Sequence, residues 1–479
     1  MSRKTTRRQL LVNAGLGLGG LTLTSVLPGG GLMSAFAAEY VDPLAPKATH
    51  FPAKAKSIIW LHQYGAPSTL DLYDYKPELV KQAGNEIPAS FLKGIKTSTQ
   101  GGVGKLFASN RTWKQYGESG AWFSDLLPNL SQHADKLTFI KASTTIGATH
   151  DISVSKLYTG DLNPGRPSLG AWVAYALGSA NQDLPPYVVL YAGKKEPQGG
   201  SINWSSGFLP AVYQGTAFRP GASPILYLQR PELIADAEQR DNLDLLKRLN
   251  QQRAALHPED TELQARLNSY ELAYRMESSA PESVDLSKET DATKELYGLN
   301  EEVTRDYGTT LLRARRLVER GVRFVQVHTG NVEVNGDEIS WDAHRDLEDN
   351  HRTNAKGVDK PIAGLLADLK ARGLLDSTLV VWTSEFGRTP YGESGNGRDH
   401  NPWGYTQWIA GGGAKAGYTY GETDELGLKS VGKPVDTYDL HATLLKLMGL
   451  DHLKVTYLNN GRSERPTVVY GEVFNDLIA

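Results

Sequence analysis

Cysteine is absent from the 479 residues. That excludes disulfides, thiolate metal ligands and a cysteine nucleophile, so any metal must be held by imidazole and carboxylate. A chain without thiols also suits an oxidising compartment. Downstream of the N-terminus no stretch offers the ~20 apolar residues of a membrane-spanning helix, so no span is expected in the mature chain. A large excess of one charge is lacking too. The formal net charge is −3, and a mildly acidic chain carries no electrostatic footprint for nucleic acid. No internal repeat is visible.

What is present begins with MSRKTTRRQLLVNAGLGLGG. Arg7 and Arg8 form a basic pair, a weakly apolar Gly- and Thr-rich run extends from Leu10 to Leu27, and Ser34-Ala35-Phe36-Ala37-Ala38 offers an A-x-A cleavage site. This order predicts a twin-arginine signal peptide over 1–37, a translocase partner during export, and residence in the periplasm or at the cell exterior. Removing the four basic residues Arg3, Lys4, Arg7 and Arg8, with no acidic residue beside them, takes the formal charge from −3 to −7.

Residues 38–479 are expected to form a single α/β domain, large for one domain but within reach of an enzyme with insertions. Short apolar runs predict strands at Lys56–His62, Leu137–Lys141, Pro186–Leu190, Val322–His328 and Thr378–Thr383, and another ending at Ile409-Ala410-Gly411. Helical spacing predicts helices at Ser153–Tyr158, Tyr307–Arg320, Ile362–Arg372 and Tyr438–Met448. Between about 231 and 293, leucines recur at helical spacing among many charges, which predicts a helical insertion. Strands alternating with helices argue for a mainly parallel sheet covered on both faces.

In such sheets ligands sit beyond the carboxyl ends of the strands. The polar residues gather there. His62, Asp71 and Asp74 follow the first strand, and Thr149, His150 and Asp151 follow the second. Asp342, His344 and His351 come after the strand ending at His328, and Glu385, Arg388, Asp399 and His400 after Thr383. Carboxylate and imidazole without thiolate suit zinc, manganese or iron, or a harder cation such as calcium. Each residue also has a plain reading: Asp71 as a turn residue, Glu385 as a helix-start carboxylate, His351 as a solvent-facing helix residue, Arg388 as a surface arginine. Asp399-His400, between Gly397 and Pro402, reads as an unusual loop.

The runs Thr378-Leu379-Val380-Val381-Trp382-Thr383-Ser384-Glu385-Phe386-Gly387-Arg388-Thr389-Pro390 and Gly397-Arg398-Asp399-His400-Asn401-Pro402 resemble the signature of the family catalogued as domain of unknown function 1501. So do Leu70-Asp71-Leu72-Tyr73-Asp74, Trp341-Asp342-Ala343-His344 and Asp439-Leu440-His441-Ala442-Thr443-Leu444-Leu445. That family is similar in layout to the alkaline phosphatase and sulfatase superfamily. The resemblance implies a three-layer α/β/α sandwich, with metal ligands after the first strand and after late strands. It equates Asp71, Asp342, His344, Glu385, Asp399 and His400 with metal-site positions, and His150, ten residues before Gly160, with the nucleophile position. It also departs from the pattern: Glu385-Phe386 replaces an Asp-His or Asp-Asn pair, and His150 replaces a hydroxyl or a cysteine-derived group.

The expected function is metal-dependent hydrolysis of phosphate or sulfate esters, on a small molecule or on a polysaccharide or envelope polymer. A divalent ion would polarise the ester, metal-activated water or His150 would attack, or His150 would serve as general acid, with Asp151 beside it, and Arg388 would hold anionic oxygens. The alternative is an exported glycan- or anion-binding protein that keeps the fold without the chemistry.

Overall fold

Ser57–His62 (β1) buries side chains on both faces. Ile59 and Leu61 enter one core, while Ile58 and Trp60 enter another. A strand buried on both faces belongs to the interior of a sheet covered by two helical layers. The computed structural model describes residues 42–95, 102–193, 196–221, 224–225, 235–256, 261–329, 332–334, 337–393 and 395–479. Met1–Pro43 and Leu44–Ala479 are separate units, and residues 1–37, expected to form a signal peptide, lie outside the described residues.

Among the described residues the main sheet has nine strands. After β1 come β2 (Leu137–Thr144), β3 (Tyr187–Tyr191), β4 (Thr216–Phe218), β5 (Phe324–His328), β6 (Thr378–Thr383), β7 (Tyr405–Ala410), β8 (Tyr418–Tyr420) and β9 (Val435–Asp436). Their spatial order is β8-β2-β7-β6-β1-β5-β3-β4, with β9 also paired to β2. The pairings are parallel except those of β7, which runs antiparallel to both β6 and β2.

Two helical layers cover the sheet. On one face lie α1 (His150–Thr159), α2 (Leu169–Leu177) and, late in the chain, Thr437–Leu447, supplying Val154, Leu157, Trp172, Leu440 and Leu444 to the core. On the other lie Glu302–Glu319 and Leu347–Ala371, supplying Leu311, Leu317, Ile362, Leu365 and Leu369. Each fully buried aliphatic side chain contributes on the order of 2 kcal/mol through area removed from water. The architecture is thus the three-layer α/β/α sandwich with a mainly parallel sheet. In the 231–293 region two helices follow one another, Asp236–Leu256 and Thr261–Val284. Arg240 joins them by donating to Glu271 at 2.9 Å.

Two local readings change. The helix expected from Ile362 begins at Leu347 and runs through Pro361. Its polar first half hides a buried stripe, His351, Asn354, Ala355 and Val358, at i, i+3, i+4 and i+7. That burial outweighs the single backbone bond that proline removes. The supposed loop at Asp399-His400 is a strand, Gly397–Asn401, paired antiparallel with Gly387–Glu393. It lacks apolar alternation because its buried side chains have polar partners: Arg398 pairs with Asp71, His400 with Asp342, and Asn401 with the Gly404 and Leu428 carbonyls.

Candidate functional site

The last residues of three adjacent strands stand in register, His62 of β1 beside His328 of β5 and Thr383 of β6. From Thr383 the chain passes through Ser384-Glu385-Phe386 into the hairpin, whose register sets Arg388 opposite His400. The chain after β5 returns as Ser340-Trp341-Asp342-Ala343-His344. Two glycines let these segments touch. Gly65 has φ 97°, and a Cβ on it would lie 2.6 Å from the Asp342 amide nitrogen. A Cβ on Gly397 would lie 2.0 Å from the His344 carbonyl carbon. Both places therefore require the one residue without a side chain.

Asp342 is the centre of the arrangement. Its Oδ1 lies 3.0 Å from His344 Nε2 and 3.4 Å from His400 Nε2, and its Oδ2 lies 3.3 Å from His150 Nε2. Arg388 Nη2 donates to Oδ1 at 2.5 Å. Burial opposes the charge, but the three histidines and Arg388 hold the Asp342 carboxyl far below the usual range. His150 opens α1. Burial disfavours its cation, yet hydrogen bonds to Asp342 and Glu385 outweigh this and raise it to about 9. His344 is raised by its bond to Asp342 against burial, whereas burial pushes His400 down.

Glu385 is buried. It accepts from His150 Nδ1 at 2.6 Å, from the Gly65 amide at 2.9 Å and from His62 Nε2 at 3.1 Å. Burial opposes its ionisation, but these histidines hold it well below its usual value. Phe386 packs its ring 4.4 Å from that of His400 and 5.0 Å from that of His150.

Among the described residues, two groups have the geometry to hold a cation. The ligand atoms of His150, Asp342 and His400 all lie within 4.8 Å of one another, as do those of His344, Glu393 and Asp399. The donor chemistry fits a metal, because imidazole and carboxylate converge from separate segments of chain. The expected residues Asp342, His344, His400, His150 and Asp399 are thus brought together, with Glu385 against His150.

Three others are placed differently. Asp71 is buried against Arg398, with Oδ2 2.8 Å from Nε, and lies in neither group. Burial opposes its charge, but Arg398 lowers it to about 2. Asp151 is exposed and accepts from Gln198. Arg388 is fully buried, and besides Asp342 it donates to the carbonyls of Gly65, Ala66 and Arg398 at 2.6, 2.9 and 3.1 Å. Sequence reasoning did not single out Glu393, which ends the hairpin strand Gly387–Glu393, or the Ala148 carbonyl, which lies 2.6 Å from His400 Nδ1 and which no side-chain pattern can reveal. It placed His62 among the polar residues beyond the first strand without giving it a role.

The chain matches the family described as "Protein of unknown function (DUF1501)" over residues 55–478. It belongs to that family. No curated protein sequence matches this DUF1501 chain. Among solved structures it is similar to PsFucS1 sulfatase from Pseudoalteromonas sp., at 14% identity over 82% of this chain and 68% of that one, with a TM-score of 0.34. It is similar to the lipoteichoic acid synthase LtaP from Listeria monocytogenes at 9% identity over 85% and 76% of the two chains, TM-score 0.37. It is also similar to alkaline phosphatase from the Antarctic bacterium TAB5 at 11% identity over 83% and 99%, TM-score 0.38. Among the described residues no helix is long and apolar enough to cross a membrane.

Proposed function

We propose that this DUF1501 protein is an exported, metal-dependent hydrolase of phosphate or sulfate esters, with an anionic polysaccharide or envelope polymer as the natural substrate. One observation carries the reading: His150, Asp342 and His400, from three distant segments, set their ligand atoms within 4.8 Å of one another at the carboxyl end of the sheet. That is where an α/β fold assembles a site. A bound divalent cation supplies charge to polarise the ester oxygens. The chain's own residues do the rest. Arg388 braces Asp342 through Nη2, Glu385 orients His150, and Phe386 covers the rings of His150 and His400. Asp342 and His344 remain partly exposed and face the incoming ester.

Metal content and turnover test this together. Protein exported by its own cell should carry a divalent ion and cleave members of a broad phosphate and sulfate ester panel. His400→Ala should lose both. An ion-free protein on which His400→Ala has no effect in the panel overturns the reading. Export rests on the Arg7-Arg8 pair and its following segments, and Arg7→Lys with Arg8→Lys should leave the precursor inside the cell.

A second reading, a glycan- or anion-binding protein without turnover, is favoured by one feature. His150 stands where the resemblance expects a nucleophile, and the two nearby serines, Ser153 and Ser155, are buried. Ser155 Oγ donates to the Asp161 carbonyl at 2.9 Å. Mass spectrometry for product after long incubation separates the two.

A further inference from the structure

The three histidines around Asp342 share an arrangement on their far sides. His150 Nδ1 lies 2.6 Å from Glu385 Oε1, His344 Nδ1 lies 2.5 Å from Glu393 Oε2, and His400 Nδ1 lies 2.6 Å from the Ala148 carbonyl oxygen. A carbonyl or carboxylate oxygen only accepts hydrogen bonds, so each Nδ1 carries the hydrogen and each Nε2 is left with its lone pair or a second proton. All three Nε2 atoms face the same carboxylate, at 3.3, 3.0 and 3.4 Å. His344 Nε2 and His400 Nε2 are themselves 3.0 Å apart. Two imidazole lone pairs at that separation repel, so a shared proton or a metal cation must lie between or beside them.

We infer that His150, His344 and His400, each through Nε2, join Asp342 in one three-imidazole, one-carboxylate centre selective for a zinc-class cation, and that Glu385 and Glu393 are positioning residues for it. This deepens the hydrolase reading by naming the class of metal, and takes from it only the location of the site. Calcium and magnesium take oxygen ligands almost exclusively. Three nitrogens and one oxygen suit zinc, cobalt or nickel. An acceptor behind each ligating imidazole fixes its tautomer and orientation, as outer partners do in metal sites generally. The assignment exchanges the two roles that the superfamily layout implies. The residue at the nucleophile position becomes a ligand, and the carboxylate at a ligand position becomes a support. Glu393 at 2.5 Å from a His344 nitrogen is at hydrogen-bond distance, closer than two ligands of one ion stand.

The test uses the full chain, freed of metal with a chelator and titrated with cobalt(II) alone. One equivalent should bind, with the visible spectrum of a nitrogen-rich site, and X-ray absorption of the loaded wild-type protein should count three imidazoles. A hundredfold excess of calcium should not displace it. Glu385→Gln and Glu393→Gln should each bind one cobalt about 10- to 100-fold more weakly, the range typical of lost outer partners. His344→Ala should weaken binding further and remove one imidazole from the absorption count. Displacement by calcium, a count of one imidazole or none, or a second cobalt that Glu393→Gln removes would overturn the inference. The wild-type imidazole count depends on no variant, so a misfolded mutant does not blunt the test. A cobalt site of this kind with no ester turnover sinks the hydrolase reading alone. Ester turnover on a calcium-only protein sinks this inference alone.

Discussion

Arg388, with no exposed side-chain surface, donates from Nη2 to Asp342 Oδ1 at 2.5 Å, while the Asp342 side chain keeps 31% of its surface open. A buried guanidinium thus braces a carboxylate that faces the mouth of the site. Its other donors reach three backbone carbonyls of the Gly65-Ala66 turn and the hairpin. Lysine keeps the charge but cannot reproduce that planar fork. Arg388→Lys is expected to weaken cobalt binding at least tenfold and to lower the urea midpoint. Unchanged binding would show that Asp342 needs no brace.

Gly65 is the second point of dependence. Alanine there would adopt a positive φ at a cost of about 1–3 kcal/mol and would press its Cβ on the Asp342 backbone. Gly65→Ala should fold less stably and lose ester turnover by an order of magnitude or more. Wild-type turnover with wild-type melting would refute the close approach of the two segments.

The Asp71–Arg398 pair separates structure from chemistry. Removing one partner of a buried ion pair leaves an uncompensated charge and costs about 3–5 kcal/mol. Asp71→Asn should therefore lower the denaturation free energy by that order while the protein still binds one cobalt. A loss of bound metal without loss of stability would instead make Asp71 a ligand.

His441 gives a pH dependence with a definite sign. It is fully buried and donates from Nε2 to the Leu157 carbonyl at 2.9 Å. Burial holds it at about 4, against an ordinary value of 6.5. The folded state therefore resists the proton that the unfolded chain accepts below 6.5. Stability from this group is complete above pH 6.5 and falls as the pH drops toward 4, by about 3 kcal/mol in all. Melting temperatures of the wild type should decline across that window, and His441→Gln should decline less steeply. Parallel declines would assign the acid sensitivity to other groups.

Much of this protein was legible in local sequence. Strand and helix are short-range phenomena, so the apolar runs at Ser57–His62 and Thr378–Thr383 and the helical periods after them were enough to imply a covered, mainly parallel sheet. The same logic placed Asp342, His344 and His400 beyond strand ends. A polar helix half such as Leu347–Lys360 and a polar hairpin strand such as Gly397–Asn401 escaped, because each is held by what it packs against rather than by its own pattern.

The roles of the polar residues were decided only in three dimensions. Glu385 meets His150 across 235 residues of chain, and Asp71 meets Arg398 across 327. A sequence can show that an acid and an imidazole follow two strands. Whether that acid faces a cation, braces a histidine or neutralises an arginine depends on differences of an ångström between atoms of remote segments, because a hydrogen bond or ion pair exists only within that range.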